Sequence, residues 1–253
     1  QPARTSFVAG NDKRANEIAA SLVLVTFDMP FSVAGITERN YHGTGIVVDA
    51  ERGLVVVDRN TVPVAAGDVR LTFGGSIEVP GKVEYVHPLH NLSVVSFDPK
   101  ALDGTPIRAV KFDTRELESG EPVTVVGLGG DSRLRSLATY VATLDDVNFP
   151  LSRTLQFRDA NLEVVSLVNS PSDYDGVITG KDGRVRALWS SFATEGARDA
   201  VQINRGMPAS VVLEAVAAAR DDKPLYSLET EFEALPIAAA RKLGLPAAWV
   251  ERL

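Results

Sequence analysis

Cysteine is absent from the 253-residue sequence. Its absence excludes thiolate catalysis, zinc or iron–sulfur centres built from cysteine, and a disulfide framework. It leaves the redox compartment open, because a chain without cysteine is stable in either environment. Only three histidines are available for acid–base chemistry or for binding a metal.

The sequence also lacks a long apolar run and an excess of positive charge. No window approaches the ~18 consecutive apolar residues of a membrane-spanning helix, so we expect no membrane span. Lys and Arg number 26 against 33 Asp and Glu, a net charge of −7, which argues against nucleic acid as a partner. A hydrophobic content of 45% excludes disorder and suffices for one large or two small domains.

Short runs of Val, Ile, Leu, Phe and Thr, each closed by Gly, Pro, Asn or Asp, dominate the sequence. This pattern is typical of an antiparallel β-barrel or sandwich. Turn residues such as Glu51-Arg52-Gly53 and Lys181-Asp182-Gly183 separate the runs. The pattern predicts twelve strands: Ser21–Asp28, Gly43–Asp49, Gly53–Val57, Val69–Phe73, Lys82–Val86, Leu92–Phe97, Pro122–Gly127, Tyr140–Leu144, Thr154–Phe157, Val164–Val168, Gly176–Thr179 and Arg184–Trp189.

Helical patterns are confined to the two ends of the sequence. Asp12–Ser21 predicts a weakly amphipathic helix. Met207–Arg220 predicts a stronger one, with Pro near its first turn and a basic last residue. After a strand-like stretch, Leu225–Phe232, a short helix is predicted over Pro236–Leu243, ended by Gly244.

Seven segments occur in a fixed order: Gly43-Thr44-Gly45, VDRNTVP at 57–63, GDVRLTF at 67–73, VPGKV at 79–83, HPLHNL at 87–92, GEPVTVVGLG at 120–129 and DGRVRALW at 182–189. In this order and spacing the chain resembles the Deg/HtrA family of trypsin-like serine proteases over nearly its whole length. The likeness is greatest to the degenerate second protease unit of the tandem-repeat members, in fungi and plants. The resemblance implies an all-β, chymotrypsin-like fold of two six-stranded barrels.

The resemblance also implies a division of the chain. We expect an N-terminal extension with a helix at 1–20, a first barrel at 21–105 and a second barrel at 106–205. A C-terminal helix and linker would occupy 206–222, and 223–253 would be the start of a PDZ domain. That last piece is too small to close a core by itself.

The family's catalytic positions carry unsuitable residues in this sequence. Asn60 stands at the histidine position and Asn91 at the aspartate position. An amide cannot act as a general base near neutral pH, and it would not stabilise an imidazolium as a carboxylate does. Tyr174 falls at the nucleophile position, which the spacing leaves free to shift by one or two residues.

The oxyanion-hole segment is altered as well. Ser172 and Asp175 replace two glycines, and Asp175 puts a negative charge where negative charge would develop. These changes predict a pseudoprotease, a chain that is not itself an enzyme. A displaced dyad of a serine with His87 or His90, or a zinc site that adds His42, is a weaker alternative; we expect no metal and no cofactor.

A barrel that lacks catalytic residues can still bind other molecules or other copies of itself. The first hypothesis is an oligomerisation or scaffold module, with Phe27 and Phe31 at the interface of a homo-oligomer; the resemblance favours a trimer. The second is a non-cleaving peptide receptor that works by strand addition, with Trp189 and Phe192 lining its pocket, although core packing is the simpler role for Trp189. A residual serine endopeptidase is the third.

The resemblance places the chain within a longer parent protein. The start at Gln1, without Met or a basic leader, agrees with a fragment. An active protease unit would precede Gln1, the PDZ domain would continue past Leu253, and the parent would act on unfolded proteins or peptides in protein quality control. The localisation stays open: periplasmic for a bacterial protein, nuclear or plastid for a eukaryotic tandem member.

Overall fold

A computed structural model describes residues 12–31, 39–147, 161–195, 200–221, 224, 226 and 235–252. Within these ranges the chain forms twelve strands and four α-helices, and the strands close into two six-stranded antiparallel barrels. The predicted all-β double barrel of chymotrypsin type is therefore confirmed.

The first barrel consists of β1 (Leu22–Asp28), β2 (Asn40–Asp49), β3 (Leu54–Val57), β4 (Asp68–Phe73), β5 (Ile77–Val86) and β6 (Ser93–Phe97). Its strands are neighbours in the order β1-β2-β3-β6-β5-β4, and pairing of β1 with β4 closes the ring. The turn before β3 requires Gly53: its φ is +67°, and a Cβ there would collide with the carbonyl oxygen of Phe97. A 3₁₀ helix, Pro99–Leu102, follows β6.

The second barrel consists of β7 (Pro122–Gly129), β8 (Leu134–Val147), β9 (Asn161–Leu167), β10 (Tyr174–Thr179), β11 (Val185–Glu195) and β12 (Ala200–Pro208). Its order is β10-β11-β12-β9-β8-β7, and pairing of β10 with β7 closes it. Closure of both rings removes the free strand edges that an open sheet would expose.

Two helices join the barrels from outside. The side chain of Asp12 caps α1 (Lys13–Ala19), and Arg14 of that helix donates to the Thr124 hydroxyl of β7 at 3.2 Å. The helix α2 (Ala209–Asp221) follows β12 and buries one face between the barrels. Two short helices end the described chain, α3 (Ile237–Lys242) and α4 (Ala247–Val250). No helix in the described ranges is long and apolar enough to cross a membrane.

Buried apolar side chains form three clusters, one inside each barrel and one between them. Successive residues of a strand point to opposite faces, so β3 serves two clusters. Val55 and Val57 fill the first barrel, whereas Leu54 and Val56 face the second barrel. We call the cluster between the barrels the seam; among its buried members are Ile46, Val56, Leu92, Val126, Val177 and Leu188.

Some element bounds differ from those predicted. The strand β12 was not predicted, because its sequence contains Gln, Asn, Arg, Gly and Pro; pairing with β11 along its whole length holds it extended. For the same reason α2 begins at Ala209, after the last residue of β12. The predicted strand Thr154–Phe157, and all of Leu225–Phe232 except Tyr226, lie outside the described residues.

The structure corrects the role expected for Phe27. Its side chain is 0% exposed and lies inside the first barrel, where it packs against Gly67 and Tyr41. A ring in that position offers no surface to a second molecule, so the expectation of an interface residue is wrong for Phe27. Phe31 is 44% exposed, and its place in an interface stays a prediction.

Replacing Phe27 by Ala is expected to lower the free energy of unfolding by about 3–5 kcal/mol, because a large buried ring is removed from a closed core. Urea denaturation followed by circular dichroism measures this loss. Phe31→Ala is the matched control, with an expected change within about 0.5 kcal/mol. Equal losses in the two variants would contradict the buried position of Phe27.

Candidate functional site

Asn91, the residue at the expected aspartate position, lies in the turn before β6 and is 2% exposed. Its side-chain oxygen accepts from the backbone N–H groups of Arg59 and Asn60, at 3.1 and 3.2 Å. Its side-chain nitrogen donates to the carbonyl oxygen of Ser191 at 2.7 Å. An amide suits this position because it supplies an acceptor and donors without a charge. Asn91 thus holds the loop after β3 and ties it to β11 of the second barrel.

Asn60, at the expected histidine position, reaches the same residue of the second barrel. Its Nδ2 donates to Ser191 Oγ at 2.8 Å. The structure therefore brings Asn60 and Asn91 together at Ser191. Both amides are used in hydrogen bonds across the seam, and neither can take a proton from a hydroxyl at neutral pH.

A third polar residue of this loop, Asp58, was not singled out from the sequence as a site residue. It follows β3 directly and is 2% exposed. Its Oδ1 accepts from the Thr61 N–H at 2.6 Å, and its Oδ2 accepts from the N–H and the Oγ of Ser191 at 3.3 and 3.4 Å. Burial raises the pKa of Asp58. The available signal was an Asp at the end of an apolar strand with Thr three residues later, the pattern of a side chain that caps a turn.

The segment expected to carry the nucleophile is the strand β10, whose residues alternate between two environments. Tyr174 and Ile178 belong to the core of the second barrel, whereas Val177 belongs to the seam. Asp175 shares the face of Val177. The residue of this segment that faces the first barrel is therefore Asp175, one position after the Tyr174 that the spacing had favoured. Ser172 is exposed and precedes the strand.

The carboxyl of Asp175 lies close to the Asp58 loop. Its Oδ1 accepts from Asn204 Nδ2 of β12 at 3.1 Å. Burial and the charge of Asp58 raise the pKa of Asp175 well above its ordinary value. Gly43 of β2 permits this approach, because a Cβ there would collide with Thr61 Oγ1 and lie 3.1 Å from Asp175 Oδ2.

The side chain of His87 forms hydrogen bonds within its own loop. It is 6% exposed, and its Nδ1 accepts from the N–H groups of Leu89 and His90 at 3.1 and 2.9 Å. Nδ1 must be unprotonated to accept both bonds. Burial, with the nearby charges of His90 and Arg59, lowers the pKa of His87 to about 4.

His42 is exposed on β2 and lies against Gly130, where an added Cβ would be 2.9 Å from His42 Nε2. Over the described part of the chain, no group of three His, Asp or Glu side chains could hold a metal ion.

The structure also corrects the expectation that Trp189 and Phe192 line a peptide-binding pocket. Trp189 is 0% exposed, belongs to the core of the second barrel and donates its indole N–H to the Pro171 carbonyl oxygen at 3.3 Å. Phe192 is 1% exposed and packs in the seam. Core packing, the simpler role, is correct for Trp189. Neither ring lines an open pocket, so the peptide-receptor hypothesis loses the two contacts on which it relied.

Sequence comparisons relate the chain to longer proteins. No protein-family model matches it. It is 33% identical over 237 residues to a PDZ domain-containing protein of Schizosaccharomyces pombe, which aligns with 91% of this chain and 24% of that protein. It is 31% identical over 246 residues to a pro-apoptotic serine protease of Pyricularia oryzae, with 94% and 24% coverage. Protease Do-like 7 of Arabidopsis thaliana is 29% identical over 280 residues, with 98% and 26% coverage. The chain thus spans about a quarter of each relative.

Solved structures share the double-barrel fold at low identity. The crystal structure of Deg5 superposes with a TM-score of 0.60 at 14% identity, covering 84% of this chain and 97% of that one. The HtrA-type protease AlgW, solved with a tripeptide, superposes with a TM-score of 0.62 at 15% identity, covering 92% and 72%. These likenesses concern the fold.

Acid should destabilise the protein through His87. The unfolded chain binds the proton near pH 6.5 and the folded chain only near pH 4. The stability that neutral His87 contributes is complete above about pH 6.5 and is lost as the pH falls toward 4. In His87→Asn, whose amide oxygen can accept the same two N–H groups, urea denaturation between pH 4 and 7.5 should show a shallower acid loss. His42→Asn is the control and should keep the wild-type slope; a wild-type slope in His87→Asn would disprove the assignment.

Proposed function

Because the chain belongs to the Deg/HtrA-type family of trypsin-like proteases, we propose that it is a non-catalytic protease-like unit that serves as an assembly module within a longer protein. The observation that carries this proposal is the use of Asn60 and Asn91. At the positions where the family holds its catalytic histidine and aspartate, these two amides form structural hydrogen bonds to Ser191.

The rest of the site supports the loss of catalysis. A nucleophilic hydroxyl needs a base to take its proton and open access for a substrate carbonyl. Ser191, whose hydroxyl accepts from Asn60 and whose carbonyl oxygen accepts from Asn91, is 3% exposed. Tyr174 is turned into the second barrel, and Asp175 would oppose an oxyanion that developed beside it. The two barrels therefore fold although the residues of the site no longer support hydrolysis.

The relatives support a longer parent protein. Two of them are named as proteases, and the chain spans about a quarter of each. We place their hydrolytic activity in another part of the parent, in a unit that carries a complete Ser–His–Asp triad, and peptides or unfolded proteins are the parent's substrates. The chain described here is then the second, degenerate unit of a tandem pair.

The C-terminal residues support the start of a PDZ domain from about residue 223. The relative from Schizosaccharomyces pombe is named for such a domain. Four apolar side chains around α3 and α4 are between 45% and 79% exposed: Leu235, Ile237, Leu243 and Trp249. Exposed apolar side chains at this density are usual where a further part of a fold covers them.

The absence of a reactive serine can be tested directly. A fluorophosphonate probe labels hydroxyls that a neighbouring base activates, and we expect no labelling of this chain under conditions in which trypsin is labelled completely. Gel fluorescence and intact-mass spectrometry measure the outcome. Labelling that disappears in Ser191→Ala would show a residual serine enzyme and would overturn the proposal.

Assembly is tested by the solution mass. Light scattering coupled to size-exclusion chromatography should give about 81 kDa for a trimer, three times the 27.1 kDa of one chain. Phe31→Asp should lower that mass, whereas Tyr140→Asp, a matched change of an exposed ring on the second barrel, should not. A monomer at every concentration would remove the assembly role from this chain.

A further inference from the structure

One residue of the second barrel holds three residues of the first. Ser191 donates its N–H and its Oγ–H to Asp58, at 3.3 and 3.4 Å. It accepts from Asn60 at its Oγ and from Asn91 at its carbonyl oxygen, at 2.8 and 2.7 Å. We call these four residues the latch. Because the latch crosses the seam, its hydrogen bonds break when the barrels move apart.

A second carboxyl reaches the latch from the other side. Asp175 comes from β10 of the second barrel, and Asp58 follows β3 of the first. The Ser191 N–H donates to Asp58 at 3.3 Å, and Asn204, the residue paired with Ser191 across β11 and β12, donates to Asp175 at 3.1 Å. Thr61 also donates to Asp58, and all of these donors are neutral. Two carboxyls in such a site cannot both ionise without strong repulsion.

The charged groups of the neighbouring elements are engaged in contacts of their own. In the loop after β3, Arg59 donates to the His87 carbonyl oxygen at 3.1 Å. On β12, Arg205 donates to the Asn204 carbonyl oxygen at 2.9 Å. On β8, Arg135 pairs with Asp173 at 3.0 Å and with Asp131 at 3.4 Å.

The titratable side chains nearby face away from the two carboxyls. His42 of β2 lies against Gly130, His87 bonds within its own loop, and Tyr174 of β10 points into the second barrel.

We propose that Asp58 and Asp175 share one proton across the seam and that this proton keeps the latch closed. When the proton leaves for solvent base, two negative charges on opposite barrels repel each other. The hydrogen bonds at Ser191 then weaken, and the barrels separate more often. The seam becomes a pH-sensitive contact that is tight in acid and looser in alkali.

The sign of the effect follows from linkage. Burial raises the pKa of both carboxyls above the unfolded value of about 3.9. The folded chain therefore holds a proton that the unfolded chain has already lost. The stabilisation is complete below about pH 4 and is lost as the pH rises through the folded-state pKa. This is opposite in sign to the effect of His87.

The test compares Asp175→Asn with the wild-type chain. The amide keeps the size and the acceptor for Asn204 but cannot ionise. The ratio of the wild-type unfolding constant to that of the variant should rise from about pH 4 upward, by up to about tenfold per pH unit. Asp58→Asn should act in the same direction. Asp182→Asn, in an exposed turn, is the matched control and should leave the ratio constant. Parallel pH curves for wild type and Asp175→Asn would overturn the proposal.

Two measurements on the wild-type chain locate the effect and do not depend on the variants folding. Hydrogen exchange of the Ser191 amide, corrected for the pH dependence of intrinsic exchange, should lose protection at high pH while the Val25 amide in β1 keeps it. Carbon-13 NMR of the aspartate carboxyls should show one of the two losing its proton only well above the unfolded value of about 3.9. Two carboxyls that both lose their protons at or below that unfolded value would refute the shared proton even if neither variant can be purified.

Discussion

Each barrel of this protein must bury two apolar surfaces, one inside its ring and one against the other barrel, and the rest of the structure depends on that constraint. Alternation along a strand makes it possible, since β3 places Val55 in the first barrel and Val56 in the seam. A strand buried on both faces carries a continuous apolar run, as Leu54–Val57 does. The helix α1, which precedes the first barrel, and the helix α2, which follows the second, both add side chains to the seam.

Polar groups that enter such a seam must find partners there, because water is excluded from it. This requirement explains the two amides at the positions where the resemblance leads us to expect a histidine and an aspartate. The Asn91 side chain accepts from the Asn60 N–H, and both amide side chains donate to Ser191 of the second barrel. Neither amide introduces a charge. A histidine and an aspartate at the same places would need a substrate-facing cleft and a compensating charge to be equally well accommodated. The two amides thus form a hydrogen-bonded joint between the barrels.

Two kinds of titratable group remain buried, and they act in opposite directions. His87 must be neutral to accept its two N–H bonds, so its burial favours the unfolded chain in acid. Asp58 is buried and Asp175 is half-buried, and neither has a cationic partner among its hydrogen bonds, so their removal from water favours the protonated form. Between acid and alkaline pH, the free energy of unfolding therefore reflects the sum of these two opposing contributions. Both contributions arise from the fold.

The sequence by itself determined the family, the all-β class and most of the strands, because apolar runs closed by turn residues are local signals and Gly43-Thr44-Gly45 has a fixed place among them. Motif spacing also singled out Asn60 and Asn91, which the structure brings together at Ser191. Only the tertiary structure decided which way side chains point: Phe27, Trp189 and Phe192 inward, Asp175 rather than Tyr174 toward the first barrel. It also decided that the polar stretch Ala200–Pro208 is a strand. The physical reason is register. A shift of one residue along a strand exchanges its two faces, and register is set by the paired strand and not by the residues within the run.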